Sequence, residues 1–106
     1  MSEDQIRTLL GFARKAGKLA AGRSAALREL EKNKVHLLLI AGDASAKVDK
    51  LFQYSKSIKT FRFLDKRAMA ELLGRDEHVA IIAVCDVQFA QAIEQLLPPE
   101  NRITDF

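Results

Sequence analysis

The side chains best suited to chemistry are four aspartates that could gather at strand ends. They are Asp43, Asp49, Asp65 and Asp86. Because α/β folds bind ligands at strand ends, these carboxylates could serve a small enzyme or a ligand sensor. The same residues suit helix N-caps, since a carboxylate accepts hydrogen bonds from the first amides of a helix. We favour capping, because no other feature of the sequence indicates catalysis.

Two histidines and one cysteine are the remaining candidates for metal binding or nucleophilic chemistry. His36 and His78 lie at the starts of two apolar strands, and neither has a second ligand at metal-site spacing. Cys85 ends the apolar run VAIIAVC without the signature of a nucleophile, so we expect a buried thiol in a reducing cytoplasm. The glycines form neither a phosphate-binding loop nor a dinucleotide-binding motif. We therefore predict no enzymatic activity, no metal and no cofactor.

Positive charge is concentrated in one segment, although the whole chain has a net charge of only +3. Between residues 7 and 34, Glu29 and Glu31 are outnumbered by Arg7, Arg14, Lys15, Lys18, Arg23, Arg28, Lys32 and Lys34. Among these, Arg28 and Lys32 follow Ser24 at i+4 spacing and share one helix face. One-sided positive charge suits a polyanion through Coulomb attraction and counterion release. The alternative is a solvated basic face with no partner.

The composition indicates one globular domain over residues 1–106, of which 48% are hydrophobic and 29% charged. The N-terminus MSEDQ is acidic and polar, unlike a signal peptide. The apolar run VHLLLIA is too short to cross a bilayer. We expect a cytoplasmic monomer with no membrane partner.

Hydrophobic periodicity predicts helices that alternate with strands. The helices are predicted at residues 2–16, 23–33, 46–57, 66–73 and 87–97, and the strands at 35–41, 60–64 and 79–85. Residues 18–21 allow only a brief strand. The runs VHLLLIA and VAIIAVC are apolar throughout, which indicates strands covered on both faces. The predicted fold class is α/β, a three-layer α/β/α sandwich with a small mixed sheet.

Three stretches resemble a known family when they are taken in order. They are LLGFARKAGKLAAGRSAALREL, LLLIAGDAS and VAIIAVCD. Over residues 6–97 the chain resembles the L7Ae/L30e ribosomal protein family, and within it the small bacterial YlxQ-like branch. The resemblance implies an L30e-like sandwich that binds kink-turn RNA, an internal loop with tandem sheared G·A pairs. Structured RNA, as a kink-turn or in ribosomal RNA, is therefore the expected partner, and DNA is not.

The resemblance implies three contact segments: the start of the second helix, the loop 42–47 and the loop that follows Gly74. The candidate RNA-binding residues are Lys18, Gly22, Arg23, Ser24, Arg28, Lys32, Ser45, Lys47, Arg75 and His78. Glycine permits close backbone approach, and a helix N-terminus offers free amides to a phosphate or a base edge. Arginine also forms bidentate contacts with guanine. Lys18 and Lys47 would contact flanking phosphates.

The chain departs from the family pattern at the start of the second helix. Where many kink-turn binders have Asn-Glu, it has Ser24 and Ala25, which together offer one hydroxyl. The third segment carries Asp76 and Glu77, which would repel phosphates. Two functions therefore stay open: a ribosome-associated protein that recognises structured RNA, and a ribosome-assembly or regulatory adaptor of the same fold that binds protein. RNA affinity should fall steeply with salt, whereas affinity at an apolar protein interface should not.

Overall fold

The structure, a computed structural model, describes residues 2–48 and 58–103. Its helices are α1 (Ser2–Lys15), α2 (Arg23–Glu31), α3 (Lys66–Leu72) and α4 (Val87–Leu96). Its strands are β1 (Leu19–Ala21), β2 (Leu37–Ile40), β3 (Thr60–Arg62) and β4 (Ile81–Val84). Residues 46–48 are also helical, and the rest of the helix predicted at 46–57 lies outside the described residues.

The four strands form one mixed sheet in the order β1-β4-β2-β3. Strand β4 runs antiparallel to both β1 and β2, and β2 runs parallel to β3. As a result, β1, β2 and β3 finish at the end of the sheet where β4 begins. We call this the upper end of the sheet and the opposite one the lower end. Four connections meet at the upper end: those that follow β1, β2 and β3, and the one that precedes β4.

Helices cover both faces of the sheet, as the wholly apolar strands predict. Along β2, Leu37 and Leu39 join one core cluster and Leu38 and Ile40 join the other, because successive side chains of a strand point to opposite faces. The first cluster contains buried residues of α1, α3 and α4. The second contains Ala26 of α2, together with Val48 from the helical residues 46–48. This arrangement confirms the predicted three-layer α/β/α sandwich.

Three of the four aspartates considered for chemistry act as helix caps, and the fourth, Asp49, lies outside the described residues. Asp65 accepts a hydrogen bond from the Ala68 amide at 2.7 Å, and Asp86 accepts one from the Phe89 amide at 3.0 Å. Asp43 accepts the Lys66 amide at 2.9 Å, so it helps to cap α3. The sequence offers Ser45 or Asp43 as the cap of the helix predicted from residue 46. Parallel pairing of β2 with β3 explains the difference, since it places the ends of these two strands side by side.

The segment after α4 runs along the outer edge of β3. Residues Pro99–Asn101 form a 3-10 turn, and Arg102 pairs with Phe61 in an antiparallel bridge. The Ile103 amide donates to the Thr60 carbonyl at 2.8 Å. An edge strand has unpaired backbone groups that could pair with another chain. This segment occupies part of those groups on β3.

Candidate nucleic-acid interface

A cavity of about 280 Å³ opens at the upper end of the sheet. Its described lining is Gly22, Arg23, Ser45, Val48, Lys66, His78 and Ala80. Each of the three segments predicted to contact RNA therefore contributes to one cavity. The sheet topology is the reason, because β1 and β2 finish at this end and β4 begins there. We call it the upper cavity.

The start of α2 presents unpaired backbone amides to this cavity. Gly22 has φ 90° and ψ 164°, a conformation that is essentially restricted to glycine. Its own amide donates to the Ile81 carbonyl at 2.9 Å, which anchors the helix to β4. Within the described residues no side chain caps α2, whereas aspartates cap α3 and α4. The amides of Arg23, Ser24 and Ala25 are thus available to an anion or a polar base edge.

Two cationic side chains line the upper cavity. Arg23 and Lys66 line it, and the described lining residues include no aspartate or glutamate. Asp76 and Glu77 of the third segment are exposed but are not among those lining residues. They directly precede His78, which does line the cavity. Cationic side chains beside free helix amides form an arrangement suited to phosphate.

Lys66 was missed by the sequence interpretation, which treated it only as the start of a helix. It is half-buried at the first position of α3, where Asp43 and Asp65 cap the helix. Its place in the cavity follows from the parallel neighbours β2 and β3, whose ends adjoin. The sequence contains no short-range pattern that predicts the pairing of two strands about twenty residues apart. Only the predicted order of strands could have suggested this position.

The other predicted site residues lie at varying distances from the upper cavity. Ser24 and Lys47 are exposed. Ser24 directly follows the lining residue Arg23, and Lys47 lies in sequence between the lining residues Ser45 and Val48. Arg28 is exposed on α2, five residues beyond Arg23 and so about 7.5 Å along the helix axis. Arg75 follows Gly74, where an added Cβ would lie 3.3 Å from an Arg14 guanidinium nitrogen. The third segment thus brings His78 into the cavity but not Arg75.

Two predicted residues lie at the lower end of the sheet. Lys18 immediately precedes β1, and its carbonyl accepts the Cys85 amide at 2.8 Å. Lys32 follows the last turn of α2 and pairs with Glu29, with 3.6 Å between Nζ and the carboxylate. The exposed face predicted for Ser24, Arg28 and Lys32 does exist, but it extends from the upper cavity toward the lower end.

Cys85 is half-buried, which differs from the full burial that its apolar run predicts. Burial raises the pKa of the Cys85 thiol, and the nearby Glu29 carboxylate adds to this, while Lys34 and Lys18 oppose it. The folded chain thus holds the proton more tightly than the unfolded chain does. The associated stability is present below the unfolded pKa and is lost as pH rises through the folded one.

We expect iodoacetamide to alkylate Cys85 slowly at neutral pH, because the thiolate is the reactive form. The rate should rise only above the pH at which a free cysteine titrates. Mass spectrometry of the alkylated protein across pH measures this directly. A neutral-pH rate equal to that of the urea-unfolded chain would contradict the effect of burial.

The described part of the chain contains neither a group of metal ligands nor a membrane-spanning helix. In residues 2–48 and 58–103, no three His, Cys, Asp or Glu side chains are placed to hold a metal ion. Within the same ranges, no helix has the length and apolar character needed to span a membrane.

The fold and the cavity define a small α/β/α sandwich with a cationic site at one end of its sheet. A family model described as the ribosomal protein L7Ae/L30e/S12e/Gadd45 family matches residues 4–94. The chain belongs to this family, which confirms the resemblance to it at the level of the family. Membership suggests an RNA-binding, ribosome-associated role.

Solved structures share the fold, with 184 similar chains. One is a protein of unknown function from Bacillus halodurans C, with a TM-score of 0.77 and 22% sequence identity. The alignment covers 86% of this chain and 94% of that one. At this identity the likeness concerns the fold alone. A comparison with curated proteins gave no significant match.

Proposed function

We propose that this chain is a non-enzymatic RNA-binding protein of the cytoplasm that docks structured RNA of the kink-turn type in the upper cavity. The observation that carries the proposal is the convergence of three separate segments around one cationic cavity. Family membership supports an RNA partner. Association with the ribosome, and the small bacterial YlxQ-like branch, belong to the same proposal.

The first contact in this proposal is made by the start of α2. Its free amides and the Arg23 guanidinium together donate hydrogen bonds to a phosphate or to the acceptor edge of a guanine. The exposed Ser24 hydroxyl adds one donor and acceptor beside them. Lys66 and His78, which line the same cavity, contact the same RNA. A bent RNA presents phosphates and unstacked base edges close together, which fits such a site.

The residues outside the cavity hold the RNA as it leaves the site. Arg28 and Lys47, exposed near lining residues in sequence, contact flanking phosphates, and the exposed Arg75 of the third segment does the same. Lys18 and Lys32, at the lower end, would contact only an RNA that continues along α2. The central contacts therefore involve few phosphates, and the peripheral cations add affinity without base specificity.

Replacement of the family's Asn-Glu by Ser24 and Ala25 shifts recognition from side chains toward the backbone. Two free amides remain at these positions, because no side chain within the described residues caps α2. We propose that selectivity comes from the shape of the RNA more than from many base contacts. The alternative, a protein-binding adaptor of the same fold, is favoured by this same loss of side-chain donors.

A titration against two RNAs tests the proposed function. One is a kink-turn, and in the other its G·A pairs are replaced by Watson–Crick pairs. We expect the protein to prefer the kink-turn by about tenfold or more, as expected when one or two polar contacts are lost. Neutralising about three or four phosphates should weaken binding roughly 20- to 100-fold between about 50 and 200 mM salt.

Fluorescence anisotropy at stated salt concentrations provides the measurement. Equal binding to both RNAs, with a steep salt dependence, would leave only a general basic surface. Weak and salt-independent binding to both would contradict an RNA function and favour the adaptor.

A further inference from the structure

Helix α1 carries an apolar surface that the described chain leaves uncovered. Phe12 is 57% exposed, and the only other large apolar side chain so exposed among the described residues is Val87, at 47%. Beside Phe12, a groove of about 410 Å³ separates α1 from α4. Its lining is Asp4, Gln5, Thr8, Leu9 and Leu96. The groove shares no residue with the upper cavity and so needs a separate explanation.

The exposed side of α1 carries charged residues, small residues and one aromatic ring along the helix axis. At 100° per residue, five residues fall within an arc of about 100°, opposite the buried Ile6 and Ala13. We call them the outer stripe: Asp4, Thr8, Gly11, Phe12 and Lys15. The stripe begins with a negative charge and ends with a positive one.

Nothing in the described part of the chain requires a glycine at position 11, which is partly exposed. A Cβ added there would meet no atom within 4 Å, and glycine is a poor helix former in a helix interior. A glycine on an exposed helix face does allow a second backbone to approach closely. The residue therefore points to a contact that is made outside this chain.

We propose that the outer stripe is a self-association surface on which α1 of a second copy lies antiparallel. In this arrangement Asp4 of each copy faces Lys15 of the other, so the charges are complementary and the contact is isologous. A parallel arrangement would instead place like charges together. This proposal replaces the monomer expected from the sequence.

The same register satisfies the other members of the stripe. With Asp4 opposite Lys15 of the second copy, Gly11 lies opposite Thr8, so that two small residues lie where the two helices come closest. Phe12 lies level with the interval between Gln5 and Leu9 of the second copy, where the groove opens. One alignment thus pairs the charges, places the small residues together and covers the exposed ring.

The expected dimer is weak and reversible. Helix α1 has 14 residues and is about 21 Å long, and one helix with an adjoining groove is small beside an interface of about 1,600 Å². Helix α2 covers the opposite face of the sheet, so the upper cavity of each copy stays accessible. A dimer would therefore present two cavities to RNA.

Sedimentation equilibrium over protein concentrations on the order of 10 to 1,000 µM tests the proposal. We expect the average mass to rise from 11.8 kDa toward twice that value. Phe12→Ser should stay monomeric, whereas the matched control Val87→Ser should associate like the wild type. A wild type that stays monomeric over the whole range would overturn the proposal, and so would equal loss of association in both variants.

A charge exchange tests the antiparallel alignment. Asp4→Lys makes the charged ends of the stripe both basic, and Lys15→Glu makes them both acidic. Each variant alone should be monomeric, because like charges would then face each other. An equal mixture should associate again, since each charge meets its opposite. A mixture of two folded variants that stays monomeric would overturn the alignment, and melting curves establish that both are folded.

Discussion

Reversing the charge of Arg23 should lower the affinity for kink-turn RNA by about 10- to 100-fold, or about 1.4–2.8 kcal/mol. Arg23 is exposed at the first position of α2 and lines the upper cavity. Arg23→Glu removes a charge-assisted hydrogen bond to phosphate and adds repulsion in its place. A carboxylate is favourable in the first turn of a helix, so the melting temperature should not fall. Loss of binding would then reflect the site and not the fold.

Lys18→Glu is the matched control for this variant. It makes the same change in net charge on an exposed residue, but at the lower end of the sheet. We expect less than a threefold change in affinity at moderate salt, since exposed charges beyond about 10 Å are largely screened. Anisotropy titrations of both variants make the comparison. Equal weakening would show that net charge, and not the upper cavity, governs binding.

Replacing Gly22 with alanine should reduce both stability and RNA affinity. The conformation at φ 90° and ψ 164° costs a residue with a Cβ about 1–3 kcal/mol. No atom lies within 4 Å of an added Cβ, so the cost arises from the backbone and not from a clash. Relaxation toward negative φ would turn the amides of Arg23 and Ser24 away from the cavity. We expect a melting temperature several degrees lower and about tenfold weaker binding.

Gly17→Ala separates these two effects. Gly17 also has a positive φ, 72°, and open space around its Cα, but it follows α1 outside the upper cavity. Its replacement should lower the melting temperature without changing the affinity of the folded protein. Thermal melts and titrations below the transition provide both quantities. Full stability and full affinity in Gly22→Ala would contradict the role assigned to this glycine.

The layers of the fold were predictable because they depend on local patterns. Strands β2 and β4 are apolar at every position, which requires helices on both faces of the sheet. Helix α2 ends two residues earlier than predicted, since Lys32 is its C-cap and Asn33 adopts a positive φ of 57°. Asparagine adopts this left-handed conformation more readily than other residues with a side chain, so Asn33 was a stop signal that the predicted boundary did not use. Element types follow from periodicity, whereas ends depend on single backbone conformations.

The composition of the site could be predicted only in part. Gly22, Arg23, Ser45 and His78 line one cavity and belong to the three segments that the family resemblance implies as RNA contacts, while their contact with RNA stays a prediction. Lys18 is near Gly22 in sequence but is separated by extended residues that span about 13 Å. Lys66 is far from both in sequence and yet lines the cavity, because β3 pairs with β2. Lys18 and Lys66 thus show that distance along the chain does not predict distance from the cavity when a strand lies between the residues.

Amide chemical shifts during an RNA titration test the proposed site most directly. On addition of kink-turn RNA to ¹⁵N-labelled protein, the amides of Arg23, Ser24 and Ala25 should shift first and furthest. Those of Lys66 and His78 should follow, because they line the same cavity. The amides of Lys18 should change little. The largest shifts at Lys18, or on the outer stripe, with none at the start of α2, would contradict docking in the upper cavity.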